Sequence, residues 1–223
     1  MSEYRKTDKL VIFGLSNFLS DLFDCAHANG FVLHKVVVHH PESPGPRDVP
    51  LAQRLAAFAR LATPPAVQAL DDFRPEQGEC YLLGPTTPER AELAQELDRR
   101  HGLDFCTMVH PTAYVSPLAQ LGQGVFVGAR SVIAPGVCLG AHVCVNRGVT
   151  IGHDTRIGAF SRIQPGANIG GLSMIGGGVT IGLGATLVER LVLGDGVTVG
   201  AGAVLLRDLP SGVVATGVPA RIR

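Results

Sequence analysis

The sequence predicts two domains of different class, an α/β domain followed by a parallel β-helix built from hexapeptide repeats. Three observations support this prediction. Glycine is abundant, with 28 residues, while tryptophan is absent and aromatic residues make up only 5% of the chain. Aliphatic residues recur at a fixed interval through the second half, which is typical of a repetitive β architecture. Strand-like and helix-like segments alternate through the first hundred residues.

The first half of the chain alternates between buried-strand and amphipathic-helix patterns. The predicted strands are 9–14, 31–38 and 80–84, with 105–110 leading into the repeats, and the predicted helices are 17–29, 51–62 and 86–102. The third helix has threonine and proline at its start and Gly102 at its end, which are common boundary residues. Alternating strands and helices predict a small Rossmann-like sheet.

The repeat in the second half has a period of six. From Val115 to Leu205 every sixth residue is Val, Ile or Leu, and glycine follows at ten of these sixteen positions. Helices repeat near 3.6 and strands near 2, so this spacing indicates short strands separated by tight turns. Three hexads then form a coil of about 18 residues, so Leu139, Ile157 and Ile175 should stack on one inner face. Asn146 takes the glycine position once, which suggests an unusual backbone conformation there.

Composition excludes several classes of partner. The net charge is zero, from 19 basic and 19 acidic residues, and no basic block suggests binding to nucleic acid or to an anionic membrane. No apolar run is long enough to span a membrane, and the polar start MSEYRKTDKL lacks the apolar core of a signal peptide. The five scattered cysteines lack metal-site spacing, which favours free thiols in the cytoplasm.

One run of the repeats, HDTRIGAFSRIQPG from His153 to Gly166, is similar to the active-site signature of hexapeptide acyltransferases. Thr155 replaces the signature cysteine, and Arg162 replaces its second histidine. The segment Gly217–Ala220 is similar to the terminal segment of these enzymes. With its N-terminal α/β part, the chain resembles the sialic acid O-acetyltransferase and bacillosamine N-acetyltransferase family. The resemblance implies a Rossmann-like acceptor-binding domain at 1–108 and a left-handed parallel β-helix at 109–223.

The same resemblance implies an acetyl-CoA-dependent acetyltransferase that acts as a homotrimer without a metal. His153 would be the general base, since imidazole titrates near ~6.5 and can accept a proton at neutral pH. Asp154 would hold the other ring nitrogen, as in other histidine–carboxylate pairs. Because neighbours on a flat strand point to opposite sides, this pairing requires a turn.

Other positions follow from the family pattern. Gly171 would supply a backbone N–H to the thioester oxyanion. The remaining implied residues are Gly182, Gly200, Ala201 and Pro219 for coenzyme A, and Asn146, Arg162, Gly14, Ser16 and Asn17 for the acceptor.

Two departures leave the acceptor open. The turn after the first strand has a single glycine, Gly14, and His39 and His40 stand where the family carries acidic residues that meet the nucleotide. A nucleotide-linked amino sugar, a sugar hydroxyl and a small non-nucleotide amine therefore all remain candidates. A non-catalytic β-helix binding protein is a further alternative. A zinc enzyme of the γ-carbonic-anhydrase type needs three imidazoles, whereas the coils offer His142 and His153.

Overall fold

The computed structural model describes residues 9–223, and the polar segment 1–8, on which the expectation of no signal peptide rests, lies outside the described residues. The chain divides into two compact units. The first comprises the chain up to Thr86 together with Glu92–Cys106, and the second comprises Thr87–Ala91 and Thr107–Arg223. No helix between residues 9 and 223 combines the length and apolar character needed to cross a membrane.

The first unit is built on a parallel sheet, as the alternating pattern predicts. Its strands are β1 (Lys9–Phe13), β2 (Val32–Val38), β3 (Ala66–Ala69) and β4 (Glu79–Leu83), in the spatial order β3-β2-β1-β4. The helices of this half of the chain are α1 (Leu19–Asn29), α2 (Leu51–Phe58) and α3 (Arg90–His101). β1 lies between two neighbours and is buried from Leu10 to Phe13, which explains its unbroken apolar sequence.

Two elements of this unit differ from the prediction. β3 was not predicted, because it is an edge strand with no buried residue and therefore carries no apolar pattern. α2 ends at Phe58 rather than at residue 62. The last residues of the predicted helix form turns instead, and Leu61 is 63% exposed, so no packing supports a longer helix.

The second unit is a left-handed parallel β-helix with three faces. Face I contains β7 (Gln120–Leu121), β10 (Cys138–Leu139), β13 (Arg156–Ile157), β16 (Met174–Ile175) and β19 (Val192–Leu193). Face II contains β5 (Met108–Val109), β8 (Phe126–Val127), β11 (Cys144–Val145), β14 (Arg162–Ile163), β17 (Thr180–Ile181), β20 (Thr198–Val199), β22 (Val214–Thr216) and β23 (Arg221–Ile222). Face III contains β6 (Tyr114–Val115), β9 (Val132–Ile133), β12 (Thr150–Ile151), β15 (Asn168–Ile169), β18 (Thr186–Leu187) and β21 (Val204–Leu205).

The chain visits the three faces in turn, and each coil takes 18 residues. Leu139 pairs with Ile157, and Ile157 pairs with Ile175, so the predicted stacking of aliphatic side chains is confirmed. The buried positions between them carry mostly valine or smaller residues, and carbonyls satisfy the buried serine hydroxyls: Ser131 donates to Asn146 at 2.8 Å and Ser161 donates to Gly176 at 2.9 Å. No single coil buries this core, so stability comes from stacking of neighbouring coils.

The turns obey a second rule of period six. Fourteen residues from Gly124 to Gly202, spaced by six, have a left-handed backbone, and six of these are not glycine. The glycine that follows each aliphatic residue is not among them. A Cβ atom on Gly152, for example, would lie 2.4 Å from the backbone nitrogen of Gly171 in the next coil. The prediction of an unusual conformation at Asn146 is therefore wrong, because close approach of coils explains the glycines of that slot.

Candidate functional site

His153 and Asp154 form a hydrogen-bonded pair at the turn that joins face III to face I, which we call corner III–I. Nδ1 of His153 lies 2.9 Å from Oδ2 of Asp154. Both side chains are more than half exposed. Asp154 takes the left-handed slot, with φ of 56°, and aspartate is among the few residues that tolerate it. The predicted turn is confirmed, and it places two sequence neighbours side by side.

Glycines above and below this pair leave it room. A Cβ atom on Gly136, one coil earlier, would lie 2.3 Å from Oδ1 of Asp154. A Cβ atom on Gly171, one coil later, would lie 3.0 Å from Nε2 of His153. Any larger residue at either position would displace the pair, so the glycines set its geometry.

The backbone N–H of Gly171 is available beside the imidazole. The carbonyl of Gly171 accepts from the N–H of Arg190 at 2.9 Å, and the next N–H, of Leu172, donates to His153 at 2.8 Å. Among the groups of residues 9–223, none accepts a hydrogen bond from the Gly171 N–H. The equivalent N–H of Gly177, at another corner, donates to Asp195 at 2.7 Å. Corner III–I therefore combines an imidazole, a carboxylate and an open N–H donor.

The residues implied for coenzyme A lie elsewhere on the β-helix. Gly182, Gly200 and Ala201 belong to the turns between faces II and III, or corner II–III, and so does Asn146. Ala201 is exposed, and its nitrogen would lie 2.5 Å from a Cβ atom on Gly182, so the close approach of the two coils requires glycine at position 182. Pro219 lies in the terminal segment, whose Ala220 N–H donates to Val204 of face III at 2.8 Å.

Arg162 lies on face II, across the coil from corner III–I. Its Nε donates to Oγ1 of Thr180 at 3.1 Å. A three-sided coil places the face II strand opposite the corner formed by the other two faces, so one copy of the chain does not bring Arg162 beside His153. The same holds for Gly182 and Ala201, which are separated from His153 by the width of face III.

A buried stack at the turns between faces I and II was missed by sequence reasoning. Arg90 is 4% exposed, and its guanidinium donates to the carbonyls of Thr87 at 2.9 Å, of Ser161 at 3.2 Å and of His142. The ring of Phe160 stacks on His142, with centroids 4.9 Å apart. Burial, assisted by Arg90, lowers the pKa of His142 to about 4. His142 is thus a neutral packing residue, and it lies at a different corner from His153, which disfavours a shared zinc ion.

The first unit contains a cavity of about 420 Å³ at the carboxyl ends of β1, β2 and β4. The predicted acceptor residues Ser16 and Asn17 line it, whereas Gly14 is not among the lining residues. Gly14 instead has φ of 85°, and a Cβ atom there would lie 2.9 Å from Pro85, so the backbone itself requires glycine.

Further lining residues of this cavity were not predicted. They are His39, His40, Glu42, Asp48 and Arg54, with prolines of the loop after β2. Arg54 donates to Asn17 at 2.6 Å, and Asn17 donates to Asp48 at 2.5 Å. These residues come from separate segments, so only the folded chain shows that they meet.

One cluster has the composition of a metal site. Ligand atoms of His34, Glu76 and Glu79 lie within 4.8 Å of one another. Nζ of Lys35 lies 2.5 Å from Glu76 and 2.7 Å from Glu79. The lysine ammonium therefore takes the place of a cation, and the cluster is an ion-pair network.

Comparison with known proteins supports the fold and the family. The family model "Hexapeptide repeat of succinyl-transferase" matches residues 119–152 and 148–183. No curated protein sequence matches the chain. The acetyltransferase domain of PglB from Neisseria gonorrhoeae FA1090 in complex with acetyl coenzyme A is 30% identical, with a TM-score of 0.81, over 97% of this chain and 100% of that one. The same domain without that ligand is 28% identical, with a TM-score of 0.80 over the same shares.

A third similar structure is a histidine-to-alanine mutant of GDP-perosamine N-acetyltransferase from Caulobacter crescentus, in complex with CoA and GDP-perosamine. It is 26% identical, with a TM-score of 0.79, over 96% of each chain. The likeness to these structures spans both units, not the repeats alone. The chain therefore belongs to the hexapeptide-repeat acetyltransferases, in the family of the bacillosamine and related amino-sugar N-acetyltransferases.

Proposed function

We propose that this protein transfers the acetyl group of acetyl-CoA to the amine of a nucleotide-linked amino sugar, with His153 as general base. The observation that carries the proposal is the His153–Asp154 pair, in which Nδ1 and Oδ2 lie 2.9 Å apart, beside the open N–H of Gly171. The complexes of the similar proteins with acetyl coenzyme A, and with CoA and GDP-perosamine, support the donor and the acceptor class.

In the reaction, one proton is transferred twice, first from the amine to His153 and then from His153 to the leaving thiolate. The neutral amine of the acceptor attacks the thioester carbonyl, a C–N bond forms, and Nε2 of His153 takes the amine proton. Asp154, held at Nδ1, stabilises the imidazolium, and the Gly171 N–H can stabilise the oxyanion of the tetrahedral intermediate. The C–S bond then breaks, and His153 returns the proton to the leaving thiolate. The products are the N-acetylated acceptor and free CoA, and no covalent enzyme intermediate is required.

Charge distribution supports coenzyme A binding on the β-helix. Residues 107–223 contain eight arginines, no lysine and four acidic residues, a net charge of +4, whereas residues 9–106 carry nine basic and thirteen acidic side chains. Coenzyme A is a polyanion, so a positive β-helix raises its local concentration and its association rate. The overall net charge of zero conceals this asymmetry.

We further propose a homotrimer in the cytoplasm. The implied coenzyme A residues and Arg162 do not share a corner with His153 in one copy, so a second copy would have to supply them, and closed rings are the usual solution for identical chains. None of the five cysteines forms a disulfide, which supports a reducing compartment.

The proposal is tested by a thiol-release screen with acetyl-CoA. Amino-sugar nucleotides with different bases, free amino sugars, simple amines and the corresponding hydroxyl sugars are supplied in separate reactions. We expect the highest kcat/KM for a nucleotide-linked amino sugar, with mass spectrometry locating the acetyl group on nitrogen. Thiol release only with hydroxyl sugars or with simple amines would contradict the assigned acceptor. No release with any acceptor, together with no binding of acetyl-CoA in a calorimeter, would favour a non-catalytic binding protein.

A comparison of Gly136→Ala with a control variant should separate the effect of a displaced His153–Asp154 pair from the effect of backbone strain alone. The new Cβ atom would lie only 2.3 Å from Oδ1 of Asp154, so the carboxylate would have to move away. We therefore expect acetyl transfer to fall about tenfold. Gly196→Ala is the matched control, because Gly196 lies at the turns between faces I and II with a similar φ of 67°, and the nearest atom to the new Cβ would be 3.9 Å away. Both variants should lose about 1–2 kcal/mol of stability through left-handed strain. Equal activity in the two variants would show that the pair does not depend on Gly136.

A further inference from the structure

Leu172 takes the left-handed turn position of corner III–I directly after Gly171, with φ of 60°. This backbone conformation is unfavourable for a bulky residue, and leucine has no polar side-chain atom that could compensate through a local hydrogen bond, as aspartate has. Leu172 is also 36% exposed, so packing in the core does not explain it. Strained positions of this kind cluster at functional sites, which indicates a role for this side chain at corner III–I.

Side chains at the left-handed turn positions lean towards the preceding coil. Asp154 and His142 both do so, because a Cβ atom on the glycine 18 residues before each would clash with the carboxylate or with the ring. Phe160 follows the same rule, since its ring stacks on that of His142 one coil earlier. Leu172 follows Asp154 by one coil and has the same backbone conformation. By the same geometry, the side chain of Leu172 is directed towards Asp154.

The position of Leu172 relative to the reacting atoms follows from its backbone. Its N–H donates to the carbonyl of His153 at 2.8 Å, which fixes Leu172 one coil beyond the imidazole. In the proposed reaction the thioester oxygen accepts from the Gly171 N–H. The first carbon of the acyl chain is bonded to the same carbonyl carbon, so it lies within about 5 Å of the Gly171 nitrogen. The side chain of the next residue, Leu172, is then within van der Waals reach of the acyl chain.

We propose that Leu172 is a specificity-determining residue for the donor, and that its side chain closes the space beyond the acetyl methyl group and so excludes longer acyl chains. The inference rests on the proposed function, because it takes His153 and the Gly171 N–H to hold the reacting atoms. The bonds that form and break are the same for every acyl-CoA, a C–N bond and a C–S bond. A propionyl or butyryl chain differs only by methylene groups, which would meet Leu172.

The test compares kcat/KM for acetyl-CoA and butyryl-CoA, with the best acceptor of the thiol-release screen at saturation. The wild type should prefer acetyl-CoA at least about tenfold, and Leu172→Ala should raise the butyryl-to-acetyl ratio at least about tenfold. Leu172→Gly should shift the ratio in the same direction, and it also relieves the left-handed strain, so loss of folding cannot account for its result. Leu172→Met, which conserves the volume, should keep the wild-type ratio within about threefold.

Leu118→Ala is the matched control, because Leu118 is an exposed leucine at corner III–I, three coils before Leu172 and about 14 Å away. Its butyryl-to-acetyl ratio should equal that of the wild type. Efficient use of butyryl-CoA by the wild type, an unchanged ratio in Leu172→Ala and Leu172→Gly, or loss of all turnover in both folded variants would each overturn the inference, while acetyl transfer by the wild type would still stand. If no acceptor releases thiol from acetyl-CoA, the proposed function itself fails.

Discussion

His153→Ala is expected to lower kcat for acetyl transfer at least about 10²-fold, the lower bound of what a positioned general base contributes. Without the imidazole, corner III–I keeps the carboxylate of Asp154, and a carboxylate is a much weaker base than an imidazole. The side chain of His153 is 58% exposed, and its removal leaves no buried cavity. The variant should therefore keep the melting temperature and the oligomeric state of the wild type.

Two companion variants refine this result. Asp154→Ala should lower kcat less than His153→Ala does, because the base remains but loses the partner that fixes its orientation. His110→Ala removes another histidine of the β-helix, whose Nδ1 lies 2.9 Å from Oγ1 of Thr112, and should leave kcat unchanged. Turnover of His153→Ala within a few-fold of the wild type, with the same acceptor and at saturating acetyl-CoA, would remove the general-base assignment.

The β-helix could be predicted from sequence because its rules are local and repeated. Each coil pairs with the coil 18 residues away, so one spacing fixes the register of three sheets. The turn geometry was harder to predict. The left-handed turn position is occupied by Arg130, His142 and Phe160 as well as by glycine, so no residue type marks this position in the sequence. The sequence did indicate that His153 and Asp154 are two residues whose identity the hexapeptide repeat does not require.

The rest of the site depends on contacts between distant segments. The network of Arg54, Asn17 and Asp48 joins a turn, a loop and a helix that share no periodic pattern. Arg90 is similarly ordinary in sequence, as the first residue of an amphipathic helix, yet it is buried against the carbonyls of two coils. Burial of a charged side chain leaves no mark in a sequence. Such residues are found only when the fold is known.

The proposed trimer predicts that two inactive variants restore each other. If the active site joins corner III–I of one copy to corner II–III of another, a copy with a damaged III–I corner can still donate its II–III corner. His153→Ala damages the first corner. Ala201→Trp should damage the second, because Ala201 is exposed and the added bulk would occupy the coenzyme A groove.

Each variant alone should retain no more than a few per cent of wild-type activity, on the order of the effect of removing a base. When the two are co-assembled in equal amounts, about a quarter of the sites in a closed ring should pair an intact His153 with an intact Ala201. Activity should then rise to about a quarter of the wild-type value. If both corners acted within one copy, every site would contain a defect and activity would stay at the level of the parents.

Two mixtures complete the test. His153→Ala co-assembled with Gly171→Trp should not recover, because both substitutions damage corner III–I and no copy keeps an intact one. Gln123→Trp places the same bulk on an exposed residue at the turns between faces I and II, and should be active without a partner. Light scattering on the mixtures establishes that the variants assemble. Recovery in the first mixture only would show that corner III–I of one copy acts together with corner II–III of another, so the second copy would be a part of the active site.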